Sequence, residues 1–414
     1  MRLFVDCRYV RTRVHDGISR YTASLVAAAA SKAEITMLIS DPGQLNLLPD
    51  LPHLRISSPT GPAEPFVARQ LNRHSPDVVF SPMQTMGSLG RRYRLILTLH
   101  DLIYYQHRTP PKNLPAPVRL GWRAYHLSYT PQRVALNRAD AVATVSQTTA
   151  DLISRHRLTR RPVHLVPNAP QAVASPRDPG NRPTKELVYM GSFMEYKNVS
   201  GLIAGLNLLP DYRLHLCSPV EPAQRAQLSG LAERPGQLVF HHGISEQDYH
   251  RLLRRATALV TLSKAEGFCL PVVEALSHGT PVITSDLPIF REVAGNLSNT
   301  PAAQLVNNDD ARFNQVKNRP SPSSSSERRL SRVECGACGA ISAATEDCPR
   351  CGQALEEGQR RDAARLAEAV IRLESPGTFA EASRAAHRRS LAYSWENSAD
   401  RLVSLAGSLH QSSN

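Results

Sequence analysis

Three features of the 414-residue chain predict an α/β protein built from two doubly wound parallel sheets. Short apolar, β-branched runs alternate with helical patterns through the first half; a proline-rich break interrupts them; the same alternation then restarts. In the first series the strand-like runs are "RLFVD", "EITMLIS", "PDVVFSP", "RLILTLHD", "ADAVATVS" and "PVHLVPN", with "GISRYTASLVAAAA" and "TTADLISRH" as helices between them. The break is "PNAPQAVASPRDPGNRPTKE", a linker by composition. The second series has strands "ELVYMGS", "YRLHLCS", "QLVFHHG", "TALVTLS" and "TPVITSD", and helices "NVSGLIAGLNLL", "EQDYHRLLRRA" and "PVVEALSHG". Two such domains in tandem are expected to hold a ligand cleft between the carboxyl ends of their sheets.

The alternation stops after "REVAGN". A polar stretch comes next, passing through "RPSPSSSSERR", which cannot bury a core. Two Cys-x-x-Cys knuckles succeed it, and helical periodicity resumes at "RRDAARLAEAVIRLES". The expected organisation is a first domain over 1–168, a linker over 169–185 and a second domain over 186–296. A flexible segment over 297–333, a small cysteine module over 334–359 and closing helices over 360–414 complete it.

Apolar residues are 41% and charged residues 21% of the chain, a globular composition, and its length supports large cores without disulfides. The longest apolar runs are too short to span a membrane, and the start lacks a secretory pattern, so a cytoplasmic protein is expected. The net charge is +13, and it is lopsided: Met1 to Arg161 holds 22 Lys and Arg against 10 Asp and Glu. Such a half attracts phosphate-bearing partners, whether nucleic acid, an anionic membrane surface or a phosphorylated substrate; an arginine-rich surface without a partner carries the same charge. Cys7, Cys217 and Cys269 read as isolated, reduced thiols.

The stretch "EGFCLPVVEA" sets two carboxylates, Glu266 and Glu274, in an apolar run. Glu266 is expected in the loop after a buried strand. Gly267 and Pro271 open a helix that carries Glu274 in its first turns and ends at Gly279. The amides of Phe268, Cys269 and Leu270 then lie at a helix N-terminus, which favours an anion. Two acids around an anion site suit a polyhydroxylated, phosphorylated ligand. The structural alternative is a locally paired Glu274 and a solvated Glu266, but a partly buried acid in an apolar helix calls for a partner.

The run "SKAEGFCLPVVEALSHGTPVITSDLPIFREVAGN" resembles the signature of family 4 glycosyltransferases, retaining enzymes of the GT-B fold. "HDGISRYTASL", "LTLHDLIYY", "ADAVATVSQTTADLI", "HLVPNAP", "LVYMGSFMEYKNVSGLIAG" and "YSWENSADRL" are similar to that family in the same order. The resemblance covers Met1 to Asn296 and Arg360 onward. It implies that the two domains form the GT-B architecture and that a nucleoside-diphosphate sugar is the donor. It implies that Glu266 contacts the donor sugar's hydroxyls, that Glu274 binds the nucleotide ribose, and that Lys197 neutralises the diphosphate as it leaves. His100 is placed near the reaction centre. Gly17 and Gly191 are placed in loops that a donor phosphate or acceptor approaches, and Phe268, Cys269 and Leu270 at the phosphate. Asp101 is expected to cap the succeeding turn. Two departures stand out: Ser192 occupies a position where many relatives carry arginine, and Cys269 one where they carry glycine. Members of this family need neither a protein nucleophile nor a catalytic metal. The expected reaction is transfer of a hexose, with mannose foremost, to a lipid-linked or cell-surface polysaccharide precursor at the inner face of the membrane.

Cys335, Cys338, Cys348 and Cys351 have the spacing of a four-thiolate structural zinc site; an iron–sulfur centre uses similar ligands. This zinc-ribbon-like module is atypical of the family, whose members continue after "EVAGN" into a short strand; that strand is expected to be missing or replaced here. Leu297 to Gln359 holds 7 Lys and Arg against 8 Asp and Glu, so nucleic acid is not an expected partner and a protein is. The competing function is a GT-B scaffold without transfer activity whose zinc ribbon recruits a partner.

Overall fold

The structure, a computed structural model, describes residues 1–110, 116–173, 175–295, 303–306, 332–334, 341–343 and 356–412. These residues divide into two units. The first comprises Met1–Gln171, Glu266–Leu270 and Ala392–Asn414; the second comprises Ala172–Ala265 and Pro271–Leu391.

In the first unit, β1 (Arg2–Asp6), β2 (Glu34–Ile39), β3 (His53–Arg55), β4 (Val78–Ser81), β5 (Arg94–Leu99), β6 (Ala141–Thr144) and β7 (Val163–Leu165) form one sheet. Its order is β3-β2-β1-β4-β5-β6-β7 and its pairings are parallel. The helices are α1 (Gly17–Ala29), α2 (Val67–Asn72), α3 (Ile103–Gln106), α4 (Ala116–Tyr125), α5 (Thr130–Asn137) and α6 (Gln147–Arg155). Strands buried on both faces explain the unbroken apolar runs read from the sequence: Val78, Val79, Phe80, Leu95 and Ile96 are fully buried. Burying each such side chain contributes about 1.5–3 kcal/mol.

The second unit repeats the plan. β8 (Thr184–Tyr189), β9 (Arg213–Leu216), β10 (Leu238–Phe240), β11 (Ala256–Thr261), β12 (Val282–Ser285) and β13 (Ala303–Val306) form a parallel sheet ordered β10-β9-β8-β11-β12-β13. Its helices are α7 (Val199–Asn207), α8 (Pro222–Ser229), α9 (Glu246–Arg255), α10 (Leu270–Ser277) and α11 (Pro288–Ala294). Toward the C-terminus come β14 (Arg332–Glu334) and β15 (Ile341–Ala343), then α12 (Glu356–Arg372), α13 (Pro376–Ser390) and α14 (Trp395–Gln411). Of these helices, α12 and α13 belong to the second unit, where Leu366 and Val370 join the core of Leu202, Ile203 and Leu206. The last helix, α14, belongs to the first, where Trp395 packs on Tyr21 and Ser398 Oγ donates to Pro167 O at 2.8 Å. Both sheets share the dinucleotide-fold order in which the direction of chain progression reverses beside the first strand, between β1 and β4 and between β8 and β11.

Three sequence expectations need correction. The strand expected to be missing or replaced is not missing: β13 lies parallel to β12, Val282 opposite Ala303 through Ser285 opposite Val306. It was hidden because "AQLV" is four residues set in polar text, too short for its period to register. The same strand interrupts the expected flexible segment over 297–333. The boundaries also shift, since β8 takes in the last two residues of the expected linker and α12 starts inside the expected cysteine module.

Candidate functional site

The reversal point of the second sheet is where a doubly wound domain presents ligand-binding loops, and the loops after β8 and β11 meet there. After β8 the chain runs through Gly191 and the exposed Ser192 into a single helical turn, Glu195–Lys197. Gly191 N donates to Ser218 Oγ at 3.1 Å, and Tyr189 Oη donates to Ser192 O at 2.6 Å, so this loop is tied at both ends. Asn198 then takes a left-handed conformation (φ +50°), which its short polar side chain tolerates, and α7 begins. The Lys197 ammonium lies 5.3 Å from the centre of the Tyr196 ring. Lys264 N donates to Tyr196 O at 2.7 Å, which brings the loop after β11 against the Lys197 turn. Lys264 was not singled out from the sequence; its signal was a lone cation following a buried strand.

Glu274 is on α10, buried with 6% exposure beside Val273 and Ala275. The helix ends as the sequence predicts: Gly279 is left-handed (φ +72°), and Thr280 N and Gly279 N donate to the carbonyls of Ala275 and Leu276.

Glu266, Phe268, Cys269 and Leu270 group with the first unit, as does His100. His100 follows β5, half-buried, with Nε2 2.7 Å from Pro82 O. A carbonyl only accepts, so Nε2 carries the proton and Nδ1 presents a lone pair. Burial pushes the imidazole below its usual pKa, with the Pro82 hydrogen bond partly opposing, so the ring is neutral at pH 7. Its edge packs on the buried Tyr21 ring, centroids 5.1 Å apart. Asp101 Oδ1 accepts from Ile103 N at 2.9 Å and so caps the next turn, as expected.

Around Gly267 the packing is tight. A Cβ there would sit 2.6 Å from His100 O and 2.8 Å from the Asp101 Cβ. Two hydroxyls hold this arrangement, neither of them singled out from the sequence. Ser146 Oγ donates to Gly267 O at 2.9 Å, and Thr149 Oγ1 donates to His100 O at 3.1 Å. Ser146 also caps α6 by accepting from Thr149 N at 3.1 Å; the legible trace was a Ser-x-x-Thr after a strand, an ordinary capping pattern. Cys269 is left-handed (φ +69°), a conformation that favours glycine. Phe268 is buried against Tyr393.

Gly17 is the first residue of α1, capped by Asp16, whose Oδ1 accepts from Ser19 N at 2.9 Å. Gly17 is exposed, and a methyl group added to its Cα would meet nothing within 4 Å, so its backbone faces open space. At the reversal point of the first sheet the space is filled: Arg8, fully buried, makes a two-pronged pair with Asp6 (Nε–Oδ1 2.8 Å, Nη2–Oδ2 2.9 Å) and reaches Glu64 as well. Cys335, Cys338, Cys348 and Cys351 lie outside the described residues. Among the described residues there is no group of three or more His, Cys, Asp or Glu placed to hold a metal, and no helix long and apolar enough to cross a membrane.

Comparison with known proteins matches the two halves separately. The "Glycosyltransferase Family 4" model matches residues 15–169, and the "Glycosyl transferases group 1" model matches residues 175–312. The O-antigen chain mannosyltransferase RfbU of Salmonella typhimurium is 29% identical over 184 residues, covering 43% of this chain and 50% of that protein. The MMP alpha-(1->4)-mannosyltransferase of Mycolicibacterium hassiacum is 27% identical over 170 residues, 40% of this chain and 41% of that protein. The chain thus spans half or less of the length of these relatives. Among solved structures, sucrose-phosphate synthase from Thermosynechococcus elongatus superposes with a TM-score of 0.67 at 16% identity, covering 99% of both chains. WaaG, a glycosyltransferase involved in lipopolysaccharide biosynthesis, gives 0.61 at 12% identity over 98% of this chain and 99% of that one. At such identities the structural likeness speaks for the fold alone. With both family models matched in order on two dinucleotide-fold sheets, the chain belongs to the group 1/family 4 glycosyltransferases of the GT-B fold.

Proposed function

We propose that the protein is a retaining hexosyltransferase that uses a nucleoside-diphosphate sugar, with mannose as the sugar, to extend a lipid-linked or cell-surface polysaccharide precursor. The observation that carries the reading is the loop pair at the β8–β11 reversal point, where the Gly191 loop is tied to Ser218 and the Lys264 backbone donates to the turn that carries Lys197. Two cations there suit a diphosphate leaving group, and Lys264 offers the charge that Ser192 does not supply. The buried Glu274 carboxylate, in the same unit, suits ribose hydroxyls. In the first unit, the neutral His100 offers Nδ1 as an acceptor for a sugar hydroxyl, and Glu266 stands two residues before the Phe268–Leu270 amides. Mannose is favoured by relatives that are named as mannosyltransferases.

We assign the four cysteines to a structural zinc. Their spacing supports it, as does the antiparallel pairing of β14 with β15, which brackets Cys335 and Cys338 in sequence with Glu334 opposite Ile341. One zinc per chain, lost in Cys335→Ser, is expected by metal analysis.

The test is hydrolysis of a panel of UDP-, GDP- and ADP-sugars, read by mass spectrometry. One donor should be turned over. Lys197→Ala should lower the rate about 10²–10³-fold, in the range for loss of one charge-stabilising group. If no donor is hydrolysed and none raises the melting temperature, the reading fails.

A further inference from the structure

One face of the second sheet carries a row of polar side chains that none of the roles above uses. In parallel register, His215 on β9 stands between Val188 of β8 and Val239 of β10. His241 N donates to Leu216 O at 3.1 Å, so the ladder continues one residue past β10. Glu186 and His241 each lie two residues from a partner of His215, and the strand period of two turns all three side chains to the same face.

The three groups meet in a line across the strands. His215 Nε2 faces Glu186 Oε1 at 3.4 Å, and His215 Nδ1 meets His241 Nε2 at 2.9 Å. His215 is 5% exposed, whereas His241 is half-buried and lines a cavity of about 710 Å³ with Gly243, Ser245, Asp248, Arg251 and Arg255. A carboxylate only accepts, so His215 Nε2 carries the ring proton and Nδ1 holds a lone pair. Burial is the main influence lowering the pKa of both rings, with nearby carboxylates partly opposing it, so both are neutral at pH 7. With the His241 proton on Nδ1, two lone pairs converge on one point, an arrangement that a cation relieves. The surrounding charges largely cancel: Glu186 pairs with Arg255 at 2.9 Å and Asp248 pairs with Arg251. Arg254, whose charge acts on His278, also lines the cavity. Such a setting disfavours a hard cation held by charge and leaves imidazole coordination as the source of affinity.

We propose that His215 Nδ1 and His241 Nε2 ligate a divalent transition-metal ion of the imidazole-preferring class, such as Zn²⁺, with Glu186 holding His215 from behind. The site has two protein ligands rather than three or more, and water from the cavity fills the other positions. Metal–nitrogen bonds of about 2.0–2.1 Å at a tetrahedral angle set the two nitrogens about 3.3 Å apart, so the rings part by about 0.4 Å from their 2.9 Å contact. His241 supplies that movement, since it stands beyond the end of β10 with its ring open to the cavity. A carboxylate behind a ligating imidazole fixes its tautomer and raises its basicity toward the ion. The ion ties β9 to the loop after β10, the outermost strand of this sheet, and belongs to that edge rather than to the loops after β8 and β11.

The test is equilibrium dialysis of the full chain, as purified, against Zn²⁺ and separately against Mg²⁺, with bound metal counted by mass spectrometry. Wild type is expected to take up one Zn²⁺ more than His241→Asn or His215→Asn, and to take up no Mg²⁺ at this site. Glu186→Gln should weaken the uptake about 10–100-fold without changing its stoichiometry. His242→Asn, exposed beside the site, should behave as wild type. Zn²⁺ should raise the thermal midpoint of wild type and not that of His241→Asn, a half-exposed position whose substitution leaves the fold intact. Cys335→Ser should retain this uptake, so the two metal sites are separable. Equal uptake by wild type and His241→Asn, as a plain hydrogen bond between the rings predicts, would overturn the proposal. So would uptake lost in His242→Asn, the mark of an adventitious ion only, or a wild-type midpoint that Zn²⁺ leaves unchanged.

Discussion

Substituting alanine for Gly267 is the most exacting probe of the site's construction. The added methyl would lie 2.6 Å from His100 O and 2.8 Å from the Asp101 Cβ, where ordinary contacts are 3.4 Å or more. The first neighbour is backbone held from two sides, by strand β5 before it and by the Thr149 Oγ1 hydrogen bond. The second is a Cβ fixed by the Asp101 cap on Ile103. Neither moves cheaply, so the Gly267 loop must withdraw, and overpacking of this kind costs about 1–3 kcal/mol. Withdrawal also breaks the 2.9 Å bond from Ser146 to Gly267 O, a further loss of about 1 kcal/mol. At about 2–4 kcal/mol in all, the thermal midpoint should drop by about 4–16 °C. Differential scanning calorimetry on purified wild type, Gly267→Ala and a control, Gly17→Ala, measures this. At Gly17 the added methyl meets nothing, so the control should melt with wild type. The Ser146→Ala variant should reproduce the hydrogen-bond part alone. A Gly267→Ala protein as stable as the control would refute the packing of this loop on the His100–Asp101 backbone.

Other substitutions test separate parts of the structure. Cys269→Gly should stabilise by about 0.5–1 kcal/mol in urea denaturation, because relief of a left-handed side chain exceeds glycine's entropic cost. Arg8→Met should destabilise by about 3–5 kcal/mol, because Asp6 and Glu64 are left as buried or half-buried carboxylates without their cation. Stability should also fall with acid through His278, whose pKa is pushed down to about 4 chiefly by burial, then by His250 and Arg254. Above pH 6.5 both states are neutral; as pH falls from 6.5 toward 4 the unfolded chain gains a proton that the native state refuses, at about 1.4 kcal/mol per pH unit. His215, pushed down to about 4 chiefly by burial, acts with the same sign, so His278→Gln should flatten the slope of midpoint against pH without abolishing it.

The two fold halves were legible because the central strands β4, β6, β11 and β12 are buried throughout and read as continuous apolar runs between amphipathic helices. Strand order was not, since nothing local distinguishes β8 beside β11 from β8 beside β10. Nor was β13, whose four residues carry too little pattern to stand out from polar neighbours. Candidates for the site were readable where a polar group stands in apolar or strand-end text, as Glu266, Glu274, His100 and Lys197 do. Ser146, Thr149 and Lys264 were not, because each acts through a contact with a distant backbone, and a capping serine or a loop lysine reads the same with or without that contact. The run from Glu266 to Glu274 shows the limit most clearly. In sequence it is one motif on one helix start. In the structure its first five residues group with the first unit, and Pro271 onward with the second, a division that falls between Leu270 and Pro271 inside the helix itself. Cys269 stands immediately before that division in a left-handed conformation, and Gly267 is packed against His100 and Asp101. The residues between the two glutamates therefore answer to backbone demands at Gly267 and Cys269 that the sequence motif does not display.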